Sequence, residues 1–232
     1  MNANAATGMR RRTALILASM VAAVAAAASA TLFFAPSSDA HGTAIGPASR
    51  NYSCWERWGD DYQNPDMATE DPMCWQAWQA DPNAMWNWNG NYLEQVGGDH
   101  EGAIPDGELC SSGQDRYAAL DAPGDWKTTT VGENFTFTNH DQADHGADYY
   151  RVYVTEQGFD PTTQALGWDD LELVAETDAI APGEGEPADT VGTLVNIDVS
   201  APGRTGHHIV YMVWQASHFD QSFYSCSDVY FQ

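Results

Sequence analysis

From about Asn134 to the C-terminal end, apolar positions recur in short runs of period two separated by turn residues. Glu133 to Asn139 alternates with Phe135 and Phe137 on one face, and Tyr149 to Thr155 is rich in β-forming residues. Leu194 to Val199 and His208 to Trp214 continue the series, and Ser227 to Phe231 ends it. Phe159-Asp160-Pro161, Ala181-Pro182-Gly183-Glu184-Gly185 and Ala201-Pro202-Gly203 break it with turn chemistry. This spacing predicts a β-sandwich. The first half reads differently. Asn51 to Gly98 holds helical patterns around Met73 to Gln79 and Asn83 to Trp88, and six of the nine tryptophans. Trp75 and Trp78, three apart, share a helix face and are expected in the core. Trp86 and Trp88 alternate around Asn87, so one can be buried while the other faces outward, where a flat indole suits stacking on a sugar ring.

The N-terminus adds a second pattern. Arg10, Arg11 and Arg12 precede an apolar stretch from Thr13 to Phe34, and Ser38-Asp39-Ala40 has the small-x-small form of a cleavage site. Residues 1–40 are therefore expected to be a secretory signal peptide, by the general or the twin-arginine route. About 22 apolar residues could also span a bilayer, but more than half of these are Ala, Ser or Thr. Residues 41–232 then form one extracellular domain of 192 residues. The leader carries three of the 9 basic residues and one of the 33 acidic ones, which leaves the remainder at a net charge of −26. Such a surface repels nucleic acid and, after cleavage, anionic membranes. Four cysteines in an exported chain favour two disulfides over a metal site, since none lies in a Cys-x-x-Cys pair. The expected pairing is Cys54 with Cys74, closing a local Trp-rich loop, and Cys110 with Cys226, tying mid-chain to the last strand.

Cleavage after Ala40 places His41 at the new N-terminus. There its α-amine and imidazole Nδ1 can chelate one metal, because the amine deprotonates near pH 8. One further imidazole completes an all-nitrogen set of the kind that selects Cu(II); zinc needs a fourth ligand. His140 and His145, in the loop after Asn139, are the candidates, and spacing does not choose between them. His100 in a Gly-Gly-Asp-His loop is expected to be solvated, and His207 and His208 are expected to be structural or surface residues.

His41-Gly42, Gly46-Pro47-Ala48-Ser49-Arg50, Ala143-Asp144-His145 before Tyr150-Arg151-Val152-Tyr153, Gly167-Trp168-Asp169-Asp170-Leu171, and Phe223-Tyr224-Ser225-Cys226-Ser227-Asp228-Val229 together resemble bacterial lytic polysaccharide monooxygenases of auxiliary activity family ten. The resemblance covers residues 41–232. It implies an immunoglobulin/fibronectin III-like sandwich with a helical, Trp-rich insertion after the first strand. It also implies one copper held by His41 and His145, Ala143 packed beside the metal and Phe223 at the axial position. Gln221 stands where several cellulose-specific relatives have Glu, and Gln142 where they have Trp. Gln221 can hydrogen-bond a bound oxygen species but cannot act as a carboxylate base. Trp86-Asn87-Trp88-Asn89 is similar to the family's substrate-facing segment, with Trp86 in the stacking position and Asn89 replacing an aromatic residue. With Asn87 and Gln142 these residues form a less aromatic face, which turns the expectation toward chitin or toward both polymers.

The resemblance implies oxidative cleavage of glycosidic bonds in insoluble chitin or cellulose by a monomer, using an external electron donor with dioxygen or hydrogen peroxide as co-substrate. No paired-carboxylate hydrolase arrangement stands out. Two other readings are a non-catalytic chitin- or cellulose-binding protein and a secreted copper carrier.

Overall fold

The computed structural model describes residues 41–232; the expected leader, residues 1–40, lies outside them. One sheet contains β1 (Gly42–Gly46), β4 (Asn134–Asp141), β7 (Glu186–Pro187) and β8 (Thr193–Ser200), in the order β1-β4-β8-β7. The other contains β2 (Tyr92–Glu94), β5 (Ala147–Thr155), β6 (Leu171–Glu176), β9 (Gly206–Ala216) and β10 (Gln221–Phe231), in the order β2-β10-β9-β5-β6. β3 (Thr129–Val131) runs parallel beside β10. Alternate residues of the two sheets interleave: Phe137, Val195 and Ile197 from the first meet Tyr150, Val152, Met212, Trp214 and Phe223 from the second. The mainly β sandwich expected from the sequence is therefore present.

Five short helices lie in the connections between β1 and β3: α1 (Arg50–Trp58), α2 (Met67–Glu70), α3 (Pro72–Ala80), α4 (Asn83–Trp86) and α5 (His100–Ala103). Met73, Ala77, Trp78 and Met85 of this segment pack with Tyr211, Val213, Tyr224 and Cys226. β9 and β10 are thus covered on both faces, which is why His208 to Trp214 reads as a near-continuous apolar run. Disulfides join Cys54 to Cys74 and Cys110 to Cys226, the expected pairing. The first fastens α1 to α3, and the second fastens the loop after α5 to β10.

Three features depart from the sequence reading. The last strand begins at Gln221 rather than Ser227, because its serines are buried instead of exposed. Ser222 Oγ donates to Gln215 Oε1 at 2.6 Å, and Ser227 Oγ donates to the Pro47 carbonyl at 2.9 Å. α1 escaped notice because its inward face is polar: Arg50, Asn51 and Ser53 are buried. His100, expected in solvent, is 4 % exposed and lies between Tyr224 Oη at 2.9 Å and Tyr149 Oη at 2.7 Å.

Burial lowers the His100 imidazole from 6.5 to about 4, with Arg151 adding to the effect against Asp220 and Asp99. The unfolded chain takes up this proton first, so stability from His100 is complete above pH 6.5 and drains as pH falls toward 4. His100→Gln keeps a hydrogen-bonding side chain but removes the titration. Relative to the unaltered protein, the variant is expected to lose about 3 kcal/mol less between pH 6.5 and pH 4. Urea denaturation across that range checks this, and a pH-independent difference between the two proteins contradicts it.

Candidate metal site

β1 and β4 pair antiparallel with Gly42 opposite Asp141, so His41 enters at the end of the sheet where β4 stops. The Gln142 N–H donates to the His41 carbonyl at 2.8 Å, and the Gly42 N–H donates to the Asn89 carbonyl at 2.9 Å. His41 is held in this way between the β4–β5 turn and the segment that follows α4.

The β4–β5 turn carries His145. Asp144 at φ 54° and Gly146 at φ 70° take the left-handed conformation that reverses the chain around it. A Cβ on Gly146 would lie 2.9 Å from Pro182 Cδ, so glycine is required there for space as well as conformation. Asp144 Oδ1 accepts the Gly183 N–H at 2.8 Å, and Ser217 Oγ donates to the His145 carbonyl at 2.9 Å. His145 is 5 % exposed. Its Nδ1 lies 2.8 Å from Asp141 Oδ1, and its backbone N–H donates to Asp141 Oδ2 at 2.5 Å.

Trp214 links the parts from within the sandwich. Its indole N–H donates to the Gly146 carbonyl at 3.0 Å, and its ring centroid is 6.3 Å from that of His145. A Cβ on Gly42 would meet the Trp214 ring at 2.8 Å and would also strike the His140 carbonyl, so residue 42 must be glycine for the chain carrying His41 to lie this close. Phe223 is fully buried and stacks on Trp214 at 4.5 Å, with Tyr92 on its ring at 5.1 Å. Phe223 therefore joins the group through Trp214.

The remaining expected residues are held by contacts of their own. Ala143 is exposed, and its N–H donates to Asp141 Oδ1 at 3.1 Å. Gln142 Oε1 accepts from Asn89 Nδ2 at 2.5 Å, which joins the two segments that flank His41. Gln221 donates from Nε2 to Glu94 Oε1 at 3.0 Å, while its Oε1 is buried with no protein partner. Trp86 is 46 % exposed and is braced edge-on by Tyr62 and Trp78, whereas Trp88 is 9 % exposed and packs on Tyr52 and Trp55. The two indoles divide as their alternation predicts. Asn87 is tied back, its Nδ2 donating to the Asn83 carbonyl at 3.0 Å and its own carbonyl accepting the Tyr117 hydroxyl at 2.8 Å. His140 is engaged by the Val191 carbonyl at 2.7 Å from Nε2 and lies beside the Trp88 ring.

Sequence reasoning missed Asp141, Trp214 and His218, whose ring centroid is 4.2 Å from that of His145. Only Asp141 had a usable signal, an acidic residue four positions before the second histidine. No cluster of three or more His, Cys, Asp or Glu side chains among the described residues is disposed to hold a metal. The residues that could hold a metal here are His41 and His145, joined by the α-amine in a chain that begins at His41. That donor set is nitrogen throughout and suits copper.

The architecture defines a two-layer β-sandwich in which Asp141 pairs with Gly42, beside His41, and bonds His145 through its side chain, with an exposed tryptophan in the helical segment. The family model described as "lytic polysaccharide mono-oxygenase, cellulose-degrading" matches residues 41–229, and the chain belongs to this copper-dependent family. It is 33 % identical over 206 residues to the chitin-binding protein CbpD of Pseudomonas aeruginosa, covering 86 % of this chain and 50 % of that one. It is 36 % identical over 204 residues to a lytic cellulose monooxygenase of Streptomyces ambofaciens, covering 84 % and 54 %. The chain thus spans about half the length of the curated relatives it matches. Among solved structures, LPMO10B from Micromonospora aurantiaca is similar at 58 % identity and a TM-score of 0.81, over 83 % of this chain and 100 % of that one.

Proposed function

We propose that the chain, secreted and processed to begin at His41, is a copper-dependent monooxygenase that oxidatively cleaves glycosidic bonds in insoluble chitin, cellulose or both. The observation that supports this reading is that Asp141 engages both segments, its backbone opposite Gly42 beside His41 and its carboxylate on His145. Copper bound there supplies one-electron chemistry with dioxygen or hydrogen peroxide, fed by an external donor.

The chain's own residues supply position and surface. The ladder from Gly42 to Asp141 and the Gln142–His41 bond fix where the first histidine leaves the sheet. Trp214 sets an apolar ring beside His145, with Phe223 stacked on it. Gln221 Oε1 is a buried acceptor able to take a hydrogen bond from a small hydroxylic species. Trp86 offers a flat apolar face to a pyranose ring. The Asn89–Gln142 amide pair adds polar groups suited to hydroxyl or acetamido substituents. This mixture is the basis for including chitin along with cellulose.

The test is mass spectrometry of soluble products from chitin and from cellulose, using protein that begins at His41. Oxidised oligosaccharides that appear only with copper and a reductant are the expected result. Copper binding and polymer binding without products would make this a non-catalytic polysaccharide-binding protein. Copper binding without affinity for either polymer would make it a carrier. Trp86→Ala is expected to weaken adsorption to the preferred polymer about tenfold, the equivalent of about 1.4 kcal/mol of stacking. Its copper affinity should be unchanged. Adsorption isotherms beside copper titrations separate the two effects.

A further inference from the structure

Asp141 is buried, at 1 % exposure, and its carboxylate is met by N–H donors and by one ring nitrogen. Oδ2 accepts the His145 backbone N–H at 2.5 Å. Oδ1 accepts the Ala143 N–H at 3.1 Å and faces His145 Nδ1 at 2.8 Å. A neutral imidazole has one N–H, and a lone pair at Nδ1 would be turned against a carboxylate that has only lone pairs to offer. The arrangement therefore favours the proton on Nδ1 and leaves the lone pair on Nε2. The backbone of the same residue is paired with Gly42, next to His41. We propose that Asp141 is a positioning residue. Its side chain selects the Nδ1–H tautomer of His145 and holds the ring's orientation, and its backbone ties that turn to the strand that follows His41. One residue thus sets both the state and the placement of the second metal-binding nitrogen.

Asp141→Asn is the discriminating substitution because it keeps the shape and changes one acceptor into a donor. If the new amide keeps its oxygen toward the imidazole, its hydrogens oppose the His145 backbone N–H. If it turns over, they oppose Nδ1 and draw the proton to Nε2, which closes the nitrogen needed by a metal. Carboxylates and carbonyls on the outer nitrogen of metal-binding histidines act in this way generally, and their loss costs about 10–100-fold in affinity.

The consequence for copper rests on the proposed function, but the tautomer does not, and the experiment keeps them apart. Metal-free protein labelled with nitrogen-15 is read by long-range proton–nitrogen correlation at the His145 ring. The expected result is Nδ1 protonated and Nε2 bare in the unaltered protein, with Asp141→Asn moved wholly or partly to Nε2–H. Copper titration of the same two proteins, each beginning at His41, should show the variant about 10–100-fold weaker. Its electron paramagnetic resonance spectrum should also be altered. An Nε2–H His145 in the unaltered protein overturns the proposal whether or not the variant folds. So does a variant with the same tautomer and the same copper affinity. If the tautomer behaves as expected but the unaltered protein binds no copper, the copper reading fails and the tautomer selection stands.

Discussion

A chain that retains Ala40 ahead of His41 is expected to bind copper more than about 100-fold more weakly than one that begins at His41, beyond the loss typical of an outer-sphere partner. It should also release no oxidised oligosaccharide from either polymer. An added peptide bond turns the α-amine into an amide, which removes a nitrogen donor and breaks the chelate with Nδ1 of the same residue. What remains is two imidazoles, and the described residues hold no cluster of three or more His, Cys, Asp or Glu side chains to compensate. The β1–β4 ladder begins at Gly42, so the fold itself should be indifferent to the extra residue. Isothermal titration with Cu(II), thermal unfolding of the metal-free forms and product analysis make the comparison. Equal affinity and equal product yield in the two forms would remove the α-amine from the site. Equal metal-free stability is needed to assign the loss to chemistry rather than folding.

The sandwich was readable because its strands leave a signal where one face is buried and the other is wet. Phe135 and Phe137 alternate for that reason, as do Val195, Ile197 and Val199. The signal fades where both faces are covered. Gln221 to Cys226 lies between the core and the helical segment, and its buried Ser222 and Ser225 look like loop residues until their burial is known. The division between Trp86 and Trp88 follows from local alternation. The burial of His100 depends on Tyr149 and Tyr224, far away in the sequence, and no local pattern announces them. At the site, the cleavage pattern is the signal that singles out His41 as a candidate. His145 could not be separated from His140 by spacing, because the end of the strand is not marked in the sequence; the fold keeps His140 within β4 and puts His145 in the turn that follows it. His140 meets the Val191 carbonyl and His145 meets the Asp141 carboxylate.

Arg50→Met is expected to destabilise the protein by about 3–5 kcal/mol, the usual cost of leaving one member of a buried ion pair alone. For a domain of this size that corresponds to a fall in Tm of roughly 10 °C or more. Arg50 meets Asp228 through Nε at 2.6 Å and Nη2 at 3.0 Å, donates to the Leu120 carbonyl at 2.6 Å and lies 4.7 Å from the Trp126 ring centroid. It thereby joins α1, the loop before β3 and β10 around a single buried guanidinium. Burial alone would raise the Asp228 carboxyl, but Arg50 and His207 more than offset it and hold it below its ordinary value. A depressed folded-state value contributes stability that is present above the ordinary carboxyl range and is lost as pH falls through the folded value. Without Arg50, desolvation is opposed only by His207, and the carboxyl moves upward. The variant then loses stability as pH rises through that interval. Both changes act in one direction, so the deficit of Arg50→Met should be largest near pH 7 and should shrink toward pH 4. Adding Asp228→Asn should recover part of it at pH 7, since the stranded charge is gone. Thermal and urea unfolding of the three proteins at both pH values decide the matter. A deficit below about 1 kcal/mol, the scale of an exposed pair, or one that does not change with pH, would show that the stability attributed to this pair comes from packing around the Arg50 stem instead.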